Sequence, residues 1–451
     1  MSRWAYCLLF LLVSTCVFAQ DKALALTGTL VTPDEIVPNG TLLIQSGRIT
    51  AVGAHVAIPQ DAIVVQTNGI IAPGLIDLHN HLTWNIFPRW KPIEEFGNRY
   101  DWQQKPVYNV LMTAPHAAIV SEGLECAAER YAEVKAITQG ETSVVGSLHA
   151  PCNRGLARNL DDDPSLGKIV YNVFPFQMSE KELKDAKDVL SANGALLIHV
   201  AEGAPNDASA AREFTMLKGR GLLVPGVSLI HAVALKPDDF AAMHDAQVGF
   251  VWSPRSNIEL YGDTANVAAA KSNNVVTALA PDWSPTGSDG LLGELNYAAT
   301  WVQSLKKKAD DQPLFDDKTL LTMATANPAK LAHVDSKLGQ LQPGFLADAL
   351  VLHPHGSQFG HDAYWAVIHA APEDIALVMI DGKAVYGDPD VMKQLTGGAR
   401  LESLEICGAQ KSISFASEPG TQPTFRETED TLDHALRQWS QKLAPLSECR
   451  N

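Results

Sequence analysis

The sequence predicts an α/β protein, a (β/α)8 barrel joined to a small β domain that both ends of the chain build. Three observations lead there. Between about residues 141 and 282, short apolar runs alternate with stretches of helical spacing, the pattern of parallel strands covered by helices. His81, His199, His231 and Asp282 fall at or just past the C-terminal ends of apolar runs, where such a barrel builds its site. An open doubly wound sheet would set those ends along a line rather than a ring. Finally, β and turn character flanks the barrel on both sides, in residues 23–66 and again in 330–386.

The 451 residues, 46% hydrophobic, suffice for a large buried core. A formal net charge of −16 disfavours nucleic acid or an anionic membrane as the main partner and is otherwise uninformative; the expected partner is a small-molecule substrate. Arg3 precedes an apolar run from Trp4 to Phe18 that ends at Ala19, too short to span a bilayer. This stretch reads as a signal peptide, residues 1–19, so the expected location is periplasmic or secreted, with no membrane span after cleavage. Of the six cysteines, Cys7 and Cys16 lie in that leader. Export permits disulfides among Cys126, Cys152, Cys407 and Cys449, and a Cys407–Cys449 bridge would staple the C-terminal tail.

Along the chain, Leu24–Val31, Thr41–Gln45, Arg48–Val52 and Ile63–Gln66 read as strands, with turns at Pro38-Asn39-Gly40 and Ser46-Gly47. The run Ile70–Leu82 closes on His79-Asn80-His81. An aromatic loop from Trp84 to Tyr108 follows, of a length typical of pocket walls. Helical spacing covers 115–139, and β-branched residues mark a strand at 141–147. Further strands are expected at 169–174, 195–200, 227–231, 248–252 and 275–281. Helices are expected at 180–192 (capped by Ser179), 208–219, 236–245 and 265–273. Residues 154–160 are the candidate for the remaining barrel strand. Residues 375–386 read as a hairpin about Asp381-Gly382. The polar remainder, 388–451, is expected to be an extension with one helix at 428–443.

Side chains alternate along a strand, so His79 and His81 share a face, with Asp77 behind them. A His-x-His pair alone says little. Fourteen His in 451 residues yield about 0.4 such pairs by chance, and His353-Pro354-His355, in a polar stretch, reads as inert. A lone strand-end histidine is usually a hydrogen-bonded packing residue. The joint pattern changes this reading: His79, His81, His199 and Asp282 offer three imidazoles and a carboxylate, a set suited to Zn²⁺ or another borderline ion such as Fe²⁺. Such an ion lowers the pKa of water towards about 7. Glu202, three residues after His199, stands beside the metal without ligating it, placed for general acid–base work. His231 can hydrogen-bond the attacking oxygen or the atom under attack, and Asp282 can take the nucleophile's proton. Trp84 and Trp283 are candidates to stack on a planar substrate. Arg154, Arg255 and Asn257 are candidates to bind a carboxylate or ring nitrogen.

The segments Pro73 to His81, His199-Val200-Ala201-Glu202, His231-Ala232, Trp252 to Asn257 and Ala280-Pro281-Asp282 resemble the amidohydrolase superfamily. The likeness is to its branch of mononuclear deaminases and triazine hydrolases, and Ala326-Asn327-Pro328-Ala329 and Gly339 to Asp348 extend it. The resemblance implies a barrel over 68–335 and a composite β-sandwich from 20–67 and 336–387. It implies His79, His81, His199 and Asp282 as ligands, Glu202 as proton shuttle and His231 as the polarising histidine. No lysine ends a strand between Glu141 and Phe174, which favours one divalent metal over a carboxylated-lysine pair. The expected activity is hydrolysis of a non-peptide C–N bond, foremost the deamination of a small nitrogen heterocycle. A cyclic or linear amide hydrolase similar to imidazolonepropionase is the alternative, and an inactive binding barrel the remote one. A homo-oligomer stays open.

Overall fold

The computed structural model describes residues 22–147, 152, 156–305, 313–354, 361–418, 420 and 422–449. The expected leader and Arg154 lie outside them. The first four strands are β1 (Leu24–Val31), β2 (Ile36–Gln45), β3 (Arg48–Gly53) and β4 (Ile63–Pro73). The barrel region supplies β5 (Leu75–Ile76), β6 (Glu141–Val144), β7 (Arg158–Asn159), β8 (Ile169–Asn172), β9 (Ala195–Val200), β10 (Val227–His231), β11 (Gly249–Trp252) and β12 (Thr277–Leu279). After these come β13 (Ala349–Leu352), β14 (Ile375–Ile380), β15 (Lys383–Gly387), β16 (Leu401–Ile406) and β17 (Ala409–Ser414).

Strands β5 to β12 run parallel in two sheets, β5-β6-β7 and β8-β9-β10-β11-β12. Strands β5, β6 and β9 to β12 are short and wholly buried, as parallel strands covered by helices are, whereas β7 and β8 are partly buried. The sheets meet where Asn80 bridges Asp282, whose N–H donates to the His79 carbonyl at 3.1 Å. Side chains from both sheets share one apolar cluster: Ile76, Val145, Leu160, Ile169, Leu197, Ile230, Val251 and Ala278. The intervening helices begin where their caps dictate. Ser179 accepts from the Glu182 N–H to open Glu180–Ser191, and Asp207 accepts from the Ala210 N–H to open Ala208–Gly219.

Both chain ends build one nine-stranded sheet, in the order β16-β17-β15-β14-β13-β4-β1-β2-β3. Two sequence expectations need correction here. The expected boundary at 67/68 falls inside β4, which runs unbroken to Pro73 because Ile70–Pro73 pair antiparallel with β13. Residues past 388, expected to hold one helix, add β16 and β17 to the sheet, and the helix begins earlier, at Phe425–Arg437. In β16, Leu404 and Ile406 are buried while Ser403 and Glu405 are exposed, the pattern of an edge strand that faces water on one side. The single helix expected over 115–139 is broken into Ala114–Ser121 and Glu125–Ile137 at Gly123, whose φ is +72°. Disulfides link Cys126 to Cys152 and Cys407 to Cys449.

Candidate metal centre

Strand geometry and tight turns deliver the polar residues. Just after β5, Asp77 accepts from the His79 N–H at 2.8 Å and from Asn80 Nδ2 at 2.6 Å, folding the turn that presents both histidines. Burial pushes the Asp77 carboxyl well up, against the two donors it accepts from. Ala201 (φ +55°), His231 (+69°), Ala232 (+52°) and Asp282 (+70°) adopt left-handed backbone at strand ends. Each such residue costs on the order of 1–3 kcal/mol unless its surroundings over-determine it, and such strain gathers at functional sites.

The predicted ligands converge. Asp282 Oδ1 lies 3.2 Å from both His79 Nε2 and His81 Nε2. The ring centroids of His79, His199 and His231 are 4.6–4.7 Å apart pairwise. His79 belongs to two compact groups of metal-binding type, one with His199 and His231, the other with His81 and Asp282. Burial, reinforced by the neighbouring imidazoles, holds His199 well below its ordinary value, and burial brings His79 down to about 4 against the pull of Asp282. Burial alone would raise Asp282, but the facing imidazoles of His79 and His81 win and keep it well below the usual carboxylate range. His79 Nδ1 hydrogen-bonds Ser253 Oγ at 2.7 Å and His199 Nδ1 meets Glu202 Oε2 at 3.2 Å, which turns the Nε2 atoms inward.

Glu202 sits at the centre of a second network. Its Oε1 accepts from Tyr261 at 2.8 Å, and Tyr261 in turn accepts from Trp102 Nε1 at 3.0 Å. Its Oε2 faces His231 Nε2 at 3.6 Å and accepts from Arg99 Nη1 at 3.4 Å. Arg99 is almost fully buried, and its Nη2 also donates to Glu213 at 3.2 Å. His231 Nδ1 is tied to Asn257 Oδ1 at 2.9 Å, so its Nε2 points into the site.

A cavity of about 170 Å³ opens onto these groups, lined by His81, His199, Glu202, His231 and Asp282 on one side. Trp84, Trp102, Tyr108, Phe174 and Trp283 form its aromatic wall, with Gln103 among them. Both predicted tryptophans therefore reach the cavity. Asn257 does not: it is fully buried behind His231 and orients that ring. Arg255 faces elsewhere, pairing with Glu448 at 3.1 Å, so its expected role in substrate binding is not supported by its position. Sequence reasoning overlooked Tyr171 and Tyr261 altogether, and took Arg99 only as part of a long loop. The signal for Tyr171 was present in β8, where alternation places it on the inward face shared with Ile169.

A profile of the amidohydrolase family matches residues 155–385, just over half of the 451. The chain belongs to the amidohydrolase family. It is a hydrolase acting on carbon–nitrogen bonds. A 5-methylthioadenosine/S-adenosylhomocysteine deaminase of Desulfitobacterium hafniense is 25% identical over 420 residues, spanning 83% of this chain and 94% of the relative. A 5'-deoxyadenosine deaminase of Methanothermobacter thermautotrophicus is 22% identical over 415 residues, 82% and 95% of the two chains. Among solved structures, an adenosine deaminase from Xanthomonas campestris with bound zinc superposes with a TM-score of 0.69 at 16% identity, covering 92% of this chain and 97% of that one. E. coli guanine deaminase gives 0.64 at 16% identity, covering 81% and 99%. At such identities the structural likeness speaks for the fold.

This amidohydrolase's donor set fits a divalent ion. His79 Nε2 and His231 Nε2 are buried without a well-directed hydrogen bond among the described residues. An unsatisfied buried polar atom costs about 1–3 kcal/mol; a cation would satisfy His79 Nε2, while His231 Nε2 stays open to water or substrate.

Proposed function

We propose that the protein is a metal-dependent deaminase that removes an amino group from a small, flat nitrogen heterocycle by hydrolysis. The single observation that carries this reading is the placement of Glu202 between the ligand histidines and His231, with an aromatic wall opposite. His79, His81, His199 and Asp282 would hold the ion, with zinc suited to the donor set and Fe²⁺ the alternative. When bound, it supplies a hydroxide nucleophile at neutral pH.

The chain's own groups do the rest. Trp84, Phe174 and Trp283 take the faces and edges of a planar ring and exclude water. Glu202, anchored by Tyr261 and Arg99, accepts a proton from the attacking water and delivers it to the departing nitrogen, which must leave as ammonia. His231 Nε2, fixed by Asn257, faces the oxygen that adds to the ring carbon. The relatives named as adenosine-type deaminases support an aminated purine or related ring as the substrate class.

The same reading takes β5 to β12 as a closed (β/α)8 barrel, supported by their shared interior cluster and the Asn80–Asp282 bridge. It takes the nine-stranded sheet as a β-sandwich, supported by a second core of Leu26, Ile44, Ile71, Val351 and Met379 from both chain ends. Export is supported by the two disulfides, which persist in oxidising compartments.

The test is metal analysis of the purified protein, paired with an ammonia-release screen over aminated purines, pyrimidines and triazines. Stoichiometric metal and ammonia with an intact ring are expected. Ring opening without ammonia would refute deamination and restore the cyclic-amide alternative.

A further inference from the structure

Tyr171 lies half-buried on β8, two residues after the inward-facing Ile169. Its hydroxyl stands 3.1 Å from His199 Nε2 and 3.3 Å from His81 Nε2, and these are its only hydrogen-bonding contacts among the described residues. Both nitrogens belong to expected metal ligands.

A bound ion would displace the hydrogen bonds of this cluster. His199 Nδ1 already faces the carboxylate of Glu202, which leaves His199 Nε2 as an acceptor. His81 Nε2 faces Asp282 Oδ1 at 3.2 Å, where any proton it carries finds a charged acceptor. The phenol has one proton and can serve only one of its two neighbours. Without an ion, Tyr171 can donate to His199 Nε2 and His81 can donate to Asp282, but where both histidines ligate a metal their Nε2 lone pairs are committed to it and the phenol loses both partners.

With an ion present, the spacing of the donors becomes the relevant measure. Around zinc, donor atoms lie about 2.0–2.2 Å from the ion, so adjacent donors at angles of about 90–110° stand roughly 2.8–3.6 Å apart. The separations linking His79 to Asp282, Asp282 to His81, His81 to Tyr171 and Tyr171 to His199 are 3.1–3.3 Å. Tyr171 therefore keeps a spacing that fits a ligand.

We infer that Tyr171 is a fifth protein donor to the metal, its hydroxyl oxygen taking the coordination position between His81 and His199. This rests on the metal reading above, and its test is independent of any substrate. The purified protein is stripped of metal and reloaded with zinc or with Fe³⁺, in wild type, Tyr171→Phe, Tyr108→Phe and Tyr261→Phe. A phenol oxygen bound to Fe³⁺ produces a visible charge-transfer band. Ferric wild type, Tyr108→Phe and Tyr261→Phe should show that band and Tyr171→Phe should lack it, while zinc-loaded Tyr171→Phe should yield its metal to a chelator about tenfold faster. Thermal melting of the apoproteins verifies that Tyr171→Phe folds.

A colourless ferric wild type that nevertheless holds one equivalent of metal would overturn the assignment and leave the metal site standing. So would a band retained in Tyr171→Phe. A wild type that binds no ion at all would remove the metal reading itself, and the fifth donor with it.

Discussion

Replacing Glu202 with Gln probes the proton shuttle. The carboxylate is buried and spans four neighbours: Tyr261 on Oε1, with His199 Nδ1, Arg99 and, at 3.6 Å, His231 on Oε2. A glutamine keeping its oxygen on Tyr261 turns an NH₂ towards two N–H donors, His199 and Arg99. The flipped amide restores an acceptor there but surrenders the bond from Tyr261. Either orientation leaves a buried donor unmet, worth about 1–3 kcal/mol of stability. Arg99 retains Glu213 and the Val173 carbonyl, at 3.2 and 2.6 Å, so the loss should stay at the lower end of that range. The catalytic loss is separate and larger. An amide cannot relay a proton, and acid–base groups contribute about 10²–10⁴ in rate, or about 3–5 kcal/mol of barrier. The assay is steady-state ammonia release beside metal content and thermal melting. Glu202→Gln should hold its metal, melt slightly lower and turn over at least 10²-fold more slowly. Wild-type turnover in that variant would refute the shuttle, and loss of the metal would instead make Glu202 a ligand.

Asp282→Asn and His79→Ala should each lose metal and activity together, read by metal analysis after dialysis; asparagine tolerates the +70° backbone at 282, so its effect isolates the ligand. Arg99→Met should cost about 3–5 kcal/mol in denaturant melts, since it leaves Glu202 and Glu213 buried without their shared cation, and Arg99→Lys should recover only part of that. Burial pushes Glu294 up to about 7 from an ordinary 4.5, so its contribution to stability is full below about pH 4.5 and is lost as pH rises through about 7. Glu294→Gln should flatten the dependence of melting temperature on pH between those values, and an unchanged slope would refute the assignment.

Much of the barrel region was legible because parallel strands buried on both faces are continuous apolar runs. Ala195–Val200 and Val227–His231 fold over the very residues read from sequence, and His199, His231 and Asp282 stand at strand ends as expected. Edge strands such as β16 were not legible, because half-exposed alternation with glutamates resembles a polar loop. Contacts that depend on long-range packing were also hidden. Arg99 reaches Glu202 from 103 positions away, and Asn257 meets His231 across 26, so neither role leaves a local pattern. Arg255 was misread because its partner Glu448 lies 193 residues downstream in the tail.

The pairing of β4 with β13 sets an order of events during synthesis. Residues 70–73 emerge early, yet their neighbours 349–352 come from the ribosome only after the whole catalytic region between them. Until then one flank of β4 is an open template for any extended segment, its own chain's or another's. Pairing across so long a loop slows folding, so a nascent chain of this protein should depend on chaperones until its last third is made.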